Sequence, residues 1–167
     1  MKQLMFNGIR NTIPSGKRIS GAMFLFTLSL LAVLGTSSCR VQLLPSHDFA
    51  LQEEITTLAK TVDRFYLQML ESDSTGRSFS ANVSEYIHIE TELRSILNKN
   101  RIKPLNQNAV EINEITLKTW IKEKEKHRTA QILSPGLIKL NSMTFQDFFY
   151  AMLVAEEAKK IIDKPDN

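Results

Sequence analysis

The stretch LQEEITTLAKTVDRFYLQM, residues 51–69, repeats apolar side chains at alternating intervals of four and three positions. An α-helix turns once about every 3.6 residues, so side chains at these intervals lie along one face. This seam predicts a helix that buries one side against other helices, and Ser46 or Asp48 can cap its start. The seam consists of Leu51, Ile55, Leu58, Val62, Phe65 and Met69.

Three further segments carry helical patterns, at about 80–99, 108–128 and from 134 to just before Pro165. No run in the sequence alternates apolar and polar residues with the period of a strand. The sequence therefore predicts an all-α protein in which residues 48–163 form an antiparallel four-helix bundle. The three apolar stripes are Val83, Tyr86, Ile87, Leu93, Ile96 and Leu97; Ala109, Ile112, Ile115, Thr116, Thr119 and Trp120; and Leu137, Asn141, Phe145, Phe148, Met152, Ala155 and Ile162.

The segment before this bundle has a different character. Residues 1–21 are basic and contain no acid, residues 22–34 are almost wholly apolar, and four small residues follow at 35–38. This is the order of a secretion signal. At about 1.5 Å per residue the apolar run is about 20 Å long, which is short of the roughly 30 Å core of a bilayer. The longer uncharged stretch 19–39 is just sufficient to span, so an uncleaved signal anchor is an alternative.

The only cysteine, Cys39, ends the sequence LGTSSC directly after this run. The arrangement resembles the signal of bacterial lipoproteins, which ends in a Leu-small-small-Cys box, although Thr36 stands where those signals carry leucine. The resemblance implies that Cys39 receives a diacylglyceryl group on its sulfur and that residues 1–38 are removed as a signal peptide. Residues 39–47 would then be a lipidated tether. Several acyl chains make a durable anchor, at about 0.8 kcal/mol for each buried CH₂ group.

Charge and cysteine content bear on the protein class. Four of the 21 basic residues and none of the 18 acidic residues precede Cys39, so the chain from Arg40 onward carries 17 basic and 18 acidic side chains. A near-neutral bundle gives no reason to expect nucleic-acid binding, which needs a positive surface.

One cysteine cannot close an intrachain disulfide, so packing alone must hold an exported fold. In the lipoprotein resemblance, Arg40 in place of an aspartate implies the outer membrane if the bacterium has two.

A metal site is the main chemical alternative. Glu85 and His88 form an E-x-x-H pair, whose spacing places both side chains on one helix face. A ferritin-like di-iron centre needs that pair twice and a glutamate from each of the other two helices. The third helix offers only Glu123 and His127, one position too far apart, so His127 is interpreted as a surface histidine. The sequence therefore predicts no cofactor, with a metal-binding bundle or enzyme that uses Glu85, His88 and His127 as the alternative.

The fourth helix carries the most suggestive sequence for a partner site. Phe148, Phe149 and Tyr150 are consecutive, and their side chains leave a helix in directions about 100° apart. The preferred interpretation is a central helix that is covered on several sides. In the alternative, a ring such as Phe149 or Tyr150 is exposed and marks a binding site for a partner.

The leading hypothesis is a lipid-anchored protein of the bacterial cell envelope that acts by binding, with the membrane and an envelope protein as its partners. The mature chain is also similar to a pattern in small exported bacterial helical proteins. That similarity implies no site residue. It is carried by Tyr86, Leu93, Leu97, Pro104, Asn106, His127, Phe148, Glu156 and Lys159.

Overall fold

The computed structural model describes residues 45–163, with side chains described through residue 161. The predicted signal peptide, Cys39 and most of the predicted tether lie outside the described residues. None of the four described helices is both long and apolar enough to cross a membrane. The helices are α1 (Phe49–Glu71), α2 (Phe79–Arg101), α3 (Gln107–Ala130) and α4 (Pro135–Asp163).

Side-chain caps fix where three of the helices begin. The carboxylate of Asp48 accepts a hydrogen bond from the backbone N–H of Leu51 at 3.0 Å, which confirms one of the two predicted caps of α1. The hydroxyl of Ser78 accepts from the N–H of Ala81 at 3.3 Å at the start of α2. The hydroxyl of Ser134 accepts from an N–H in the first turn of α4. Each oxygen replaces an acceptor that the first turn of a helix lacks.

The four helices pack in a square, with α1 and α3 each lying between α2 and α4. Contacts between helix ends show that neighbours run in opposite directions. Lys99 near the end of α2 forms an ion pair with Glu54 near the start of α1. Gln52 in the first turn of α1 donates a hydrogen bond to Glu157 near the end of α4. The predicted antiparallel four-helix bundle is therefore confirmed.

The two ends of the bundle are built from different parts of the chain. The N-terminal end comprises the start of α1, the α2–α3 loop at 102–106 and the end of α4. The distal end comprises the α1–α2 loop at 72–78 and the α3–α4 loop at 131–134. The two distal loops are joined by an antiparallel bridge between Ser78 and Ile132.

Trp120 of α3 occupies the centre of the core. Its ring lies between 5.1 and 6.2 Å, centroid to centroid, from the rings of Phe65, Tyr66, Tyr86 and Phe145. These rings come from α1, α2 and α4, so one indole is in contact with all three other helices. The indole N–H also donates to the backbone carbonyl of Tyr86 at 3.2 Å. Contacts of this kind combine large apolar burial with preferred ring geometry.

The predicted stripes on α2 and α3 are wrong at individual positions. Ile87 is exposed, whereas its neighbour Ile89 is fully buried. Ile115 is likewise exposed, whereas Leu117 is buried. Each position turns a helical side chain by about 100°, so a stripe displaced by one or two positions faces away from the core.

Candidate functional site

The outer face of α4 carries a row of exposed apolar side chains, which are between 48% and 72% exposed. Successive positions in this row are three or four residues apart, so their side chains are neighbours on one helix face. The row is about 26 Å long at about 1.5 Å per residue. We call it the α4 seam; it consists of Leu137, Leu140, Met143, Asp147, Tyr150 and Val154.

A separate face of α4 builds the core. Ile138, Phe145, Phe149 and Met152 are all buried. The ring of Phe145 packs against Trp120 at 5.1 Å, which fixes this face toward the interior. α4 therefore has two apolar faces, and the bundle covers only one of them. An apolar row that remains on a surface indicates an interaction site.

The three consecutive aromatic residues of α4 illustrate the two faces. Phe149 is 3% exposed and Tyr150 is 72% exposed, while Phe148 is partly buried against the core. The predicted covered central helix is therefore wrong, because one ring faces away from the bundle. Of the two candidate partner residues, Phe149 is corrected to a core residue, and Tyr150 lies in the α4 seam.

The α4 seam contains one charged side chain. Asp147 lies between Met143 and Tyr150 and makes no hydrogen bond or ion pair with the described residues. The next carboxylate on this side of α4, Glu157, is paired instead. Hydrogen bonds from Lys160 at 2.7 Å and from Gln52 at 2.9 Å hold the pKa of Glu157 below its ordinary value. Asp147 is thus a carboxylate that an incoming cation can reach.

The structure does not bring the three candidate metal ligands together. His88 is exposed on α2 and lines a surface groove of about 420 Å³ with Glu53, Glu54 and Glu92, whereas His127 is buried at the distal end. Among residues 45–161, no three His, Cys, Asp or Glu side chains lie close enough together to hold a metal ion. Glu85 and His88 therefore share a helix face without a third ligand.

The prediction that His127 is a surface histidine is wrong. Its Nε2 lies 2.9 Å from the backbone carbonyl of Arg77, and its Nδ1 lies 3.0 Å from the hydroxyl of Tyr86. A carbonyl can only accept, so Nε2 carries the proton and Nδ1 accepts from Tyr86. The ring also packs edge-on against Phe79 at 5.5 Å. His127 thus joins the end of α3 to α2 and to the α1–α2 loop.

A buried ion pair on α4 is a polar feature that the sequence patterns did not indicate. The Nζ of Lys159 lies 2.6 Å from Oε1 of Glu156, and the two side chains are 5% and 1% exposed. The second carboxylate oxygen of Glu156 has no hydrogen-bond partner among the described residues. Lone buried charges are costly, so each of these groups depends on the other.

Comparison with known proteins identifies no relative: no family model, no curated protein and no solved structure matches the chain. Over residues 45–163, the fold and the seam define an all-α bundle in which one face of α4 leaves an apolar row exposed.

Proposed function

We propose that the chain is a lipid-anchored protein of the bacterial cell envelope whose bundle binds a helix of another envelope protein through the α4 seam. The observation that carries the binding role is the second, uncovered apolar face of α4. The anchor is supported by the sequence before the bundle, in which a basic start and an apolar run lead to the only cysteine, Cys39. Arg40 after that cysteine favours the outer membrane if the bacterium has two membranes.

A helix suits the shape of this site. Successive side chains of the seam are three or four positions apart. The side chains of a facing helix can pack between side chains at this spacing. Burying a leucine or methionine side chain of this size contributes about 1.5–3 kcal/mol. Five such side chains along about 26 Å of a rigid helix therefore provide enough apolar surface for specific binding.

The charge of the seam restricts the partner. Asp147 lies among apolar side chains, so a partner that covers the seam must place a lysine or arginine opposite it or leave a carboxylate buried without a counter-ion. A second copy of this chain fits poorly. Two copies held by their N-terminal ends in one membrane would stand parallel, and their two Asp147 carboxylates would face each other.

Site-specific photo-cross-linking in intact envelopes tests this proposal. A photoreactive amino acid at Tyr150 or Met143 of the full-length protein should give one discrete cross-linked species. The same group at Leu67 of α1 or Ile87 of α2, which are also exposed apolar positions, should not give that species. Asp147→Lys should abolish the Tyr150 cross-link, because it places a cation opposite the partner's cation. Equal cross-linking from all four positions, or no effect of Asp147→Lys, would contradict the proposal.

A further inference from the structure

The N-terminal end of the bundle exposes four large apolar side chains that belong to no helix seam. Phe49 is the first residue of α1, Ile102 caps the end of α2, Leu105 lies in the α2–α3 loop, and Ile161 is near the end of α4. They are between 61% and 83% exposed. Phe49 and Leu105 also line one shallow cavity of about 580 Å³. We call these four residues the apolar end.

Leu105 occupies a backbone conformation that leucine seldom adopts. Its φ is 59°, in the left-handed region, where a Cβ atom costs about 1–2 kcal/mol relative to glycine. Burial does not offset this cost, because the side chain is 61% exposed. Asparagine and glycine are the residues that tolerate this conformation. The leucine is therefore unfavourable for the bundle alone.

The basic side chains that the structure describes around the α2–α3 loop have acidic partners. Lys103 pairs with Asp48 at 2.7 Å, and Arg101 pairs with Glu114 at 2.7 Å. Lys99 of α2 likewise pairs with Glu54 of α1. Within residues 45–161, the apolar end is thus bordered by ion pairs and not by a basic patch. A surface of this kind favours an apolar layer over an anionic one.

The chain leads from this end toward Cys39. Six residue steps separate Pro45 from Cys39, and at about 3.3–3.6 Å for each step they span at most about 22 Å. If Cys39 is lipidated, as the proposed function states, Pro45 at this end of the bundle lies within about 22 Å of the bilayer. α1 has 23 residues and is about 34 Å long, so the distal end is held much farther away.

We infer that the apolar end rests on the membrane, with Phe49, Ile102, Leu105 and Ile161 inserted into the interfacial layer of the bilayer. The lipid anchor supplies attachment, and the apolar end fixes orientation. The helices then stand roughly along the membrane normal, so that the α4 seam faces sideways toward other anchored proteins. The inference rests on the proposed anchor and adds a second contact to it.

Depth measurements on the full-length lipidated protein in phosphatidylcholine vesicles test the inference. Lipid caps Cys39, so a nitroxide label attaches only to a cysteine introduced by Leu105→Cys, Ile161→Cys or, as the distal control, Ile132→Cys. Labels at 105 and 161 should be relaxed by oxygen and protected from a water-soluble nickel chelate. The label at 132 should show the opposite. Adding phosphatidylglycerol should leave the protection unchanged, and protection that requires the anionic lipid would overturn the apolar contact.

A second variant separates insertion from folding. Phe49→Ser with Leu105→Asn should expose the label at 161 to the nickel chelate. Leu105→Asn alone should not lower the free energy of unfolding, because asparagine tolerates a φ of 59°. The matched control Leu67→Asn removes an exposed leucine from the outer side of α1 and should leave the label at 161 protected.

The outcomes distinguish the two proposals. If the protein carries lipid on Cys39 and binds vesicles while the labels at 105 and 161 remain in water, the inference is overturned and the anchor stands. If Cys39 carries no lipid and the protein does not bind vesicles, the anchor itself is wrong and the inference falls with it.

Discussion

The hydroxyl of Tyr86 on α2 lies 3.0 Å from Nδ1 of His127 on α3, and both side chains are fully buried. Tyr86→Phe keeps the aromatic contacts and removes only the donor. It should lower the free energy of unfolding by about 1–3 kcal/mol, because Nδ1 is left as a buried acceptor without a partner. Urea unfolding followed by the fluorescence of Trp120 measures this. Tyr150→Phe, on the exposed seam, is the control and should change stability by less than about 0.5 kcal/mol.

The same histidine predicts how stability depends on pH. Burial lowers the pKa of His127 below its ordinary value of 6.5, and the bond to the carbonyl of Arg77 opposes this only in part. Just below pH 6.5 the unfolded chain therefore binds a proton that the folded chain does not. The free energy of unfolding should rise with pH through this window and decrease as the pH falls.

Histidine variants isolate this effect. His127→Gln should flatten the pH dependence between about pH 5 and 7, because the group with the lowered pKa is gone. His88→Gln, at an exposed position on α2, is the matched histidine substitution for comparison. A slope that survives in His127→Gln would assign the pH dependence to another group.

The burial of His127 could not be predicted from its surroundings in the sequence. The run KEKEKHR at 122–128 is polar on every side, and the partners Tyr86 and Arg77 are 41 and 50 residues away. A local pattern reports the period of a helix and says nothing about which distant group completes a hydrogen bond. By contrast, the four helices were predictable within a few residues, because period, caps and turn formers are local features.

The two apolar faces of α4 also could not be assigned from the local sequence pattern. A stripe through Leu137 and one through Ile138 both satisfy helical spacing, and only packing decides which one faces the core. The predicted stripe began at Leu137, which is exposed, and ran on through buried Asn141 and Phe145. Only the fold therefore shows that an apolar row of α4 remains exposed. The sequence alone indicated that the three aromatic residues at 148–150 cannot all face one narrow seam.

The proposed anchor predicts the behaviour of Cys39→Ala. This variant should no longer incorporate labelled palmitate and should move from the membrane fraction to the soluble fraction, because no other lipid attachment site is proposed. Ser38→Ala, which preserves a small residue beside the cysteine, should remain lipidated and membrane-bound. A Cys39→Ala protein that stays in the membrane at full length would favour the uncleaved signal anchor.

The buried pair of Lys159 and Glu156 predicts a strongly non-additive pair of substitutions. Lys159→Met removes the partner 2.6 Å from Oε1 and leaves a carboxylate that is 1% exposed. This should lower the free energy of unfolding by about 3–5 kcal/mol at neutral pH. Replacing both residues by methionine removes both charges, so the double variant should be more stable than Lys159→Met and close to the wild type.

The neighbouring pair of Lys160 and Glu157 provides the control for this cycle, because it has the same spacing and an ion pair of 2.7 Å but lies in solvent. Lys160→Met should change stability little, since water solvates the carboxylate that remains. The difference in stability loss between Lys159→Met and Lys160→Met therefore measures the effect of burying the carboxylate, since both variants remove an ion pair of the same spacing. Equal losses in Lys159→Met and Lys160→Met would mean that water reaches Glu156, and that the second oxygen of its carboxylate, which has no described partner, is solvated through the N-terminal end of the bundle.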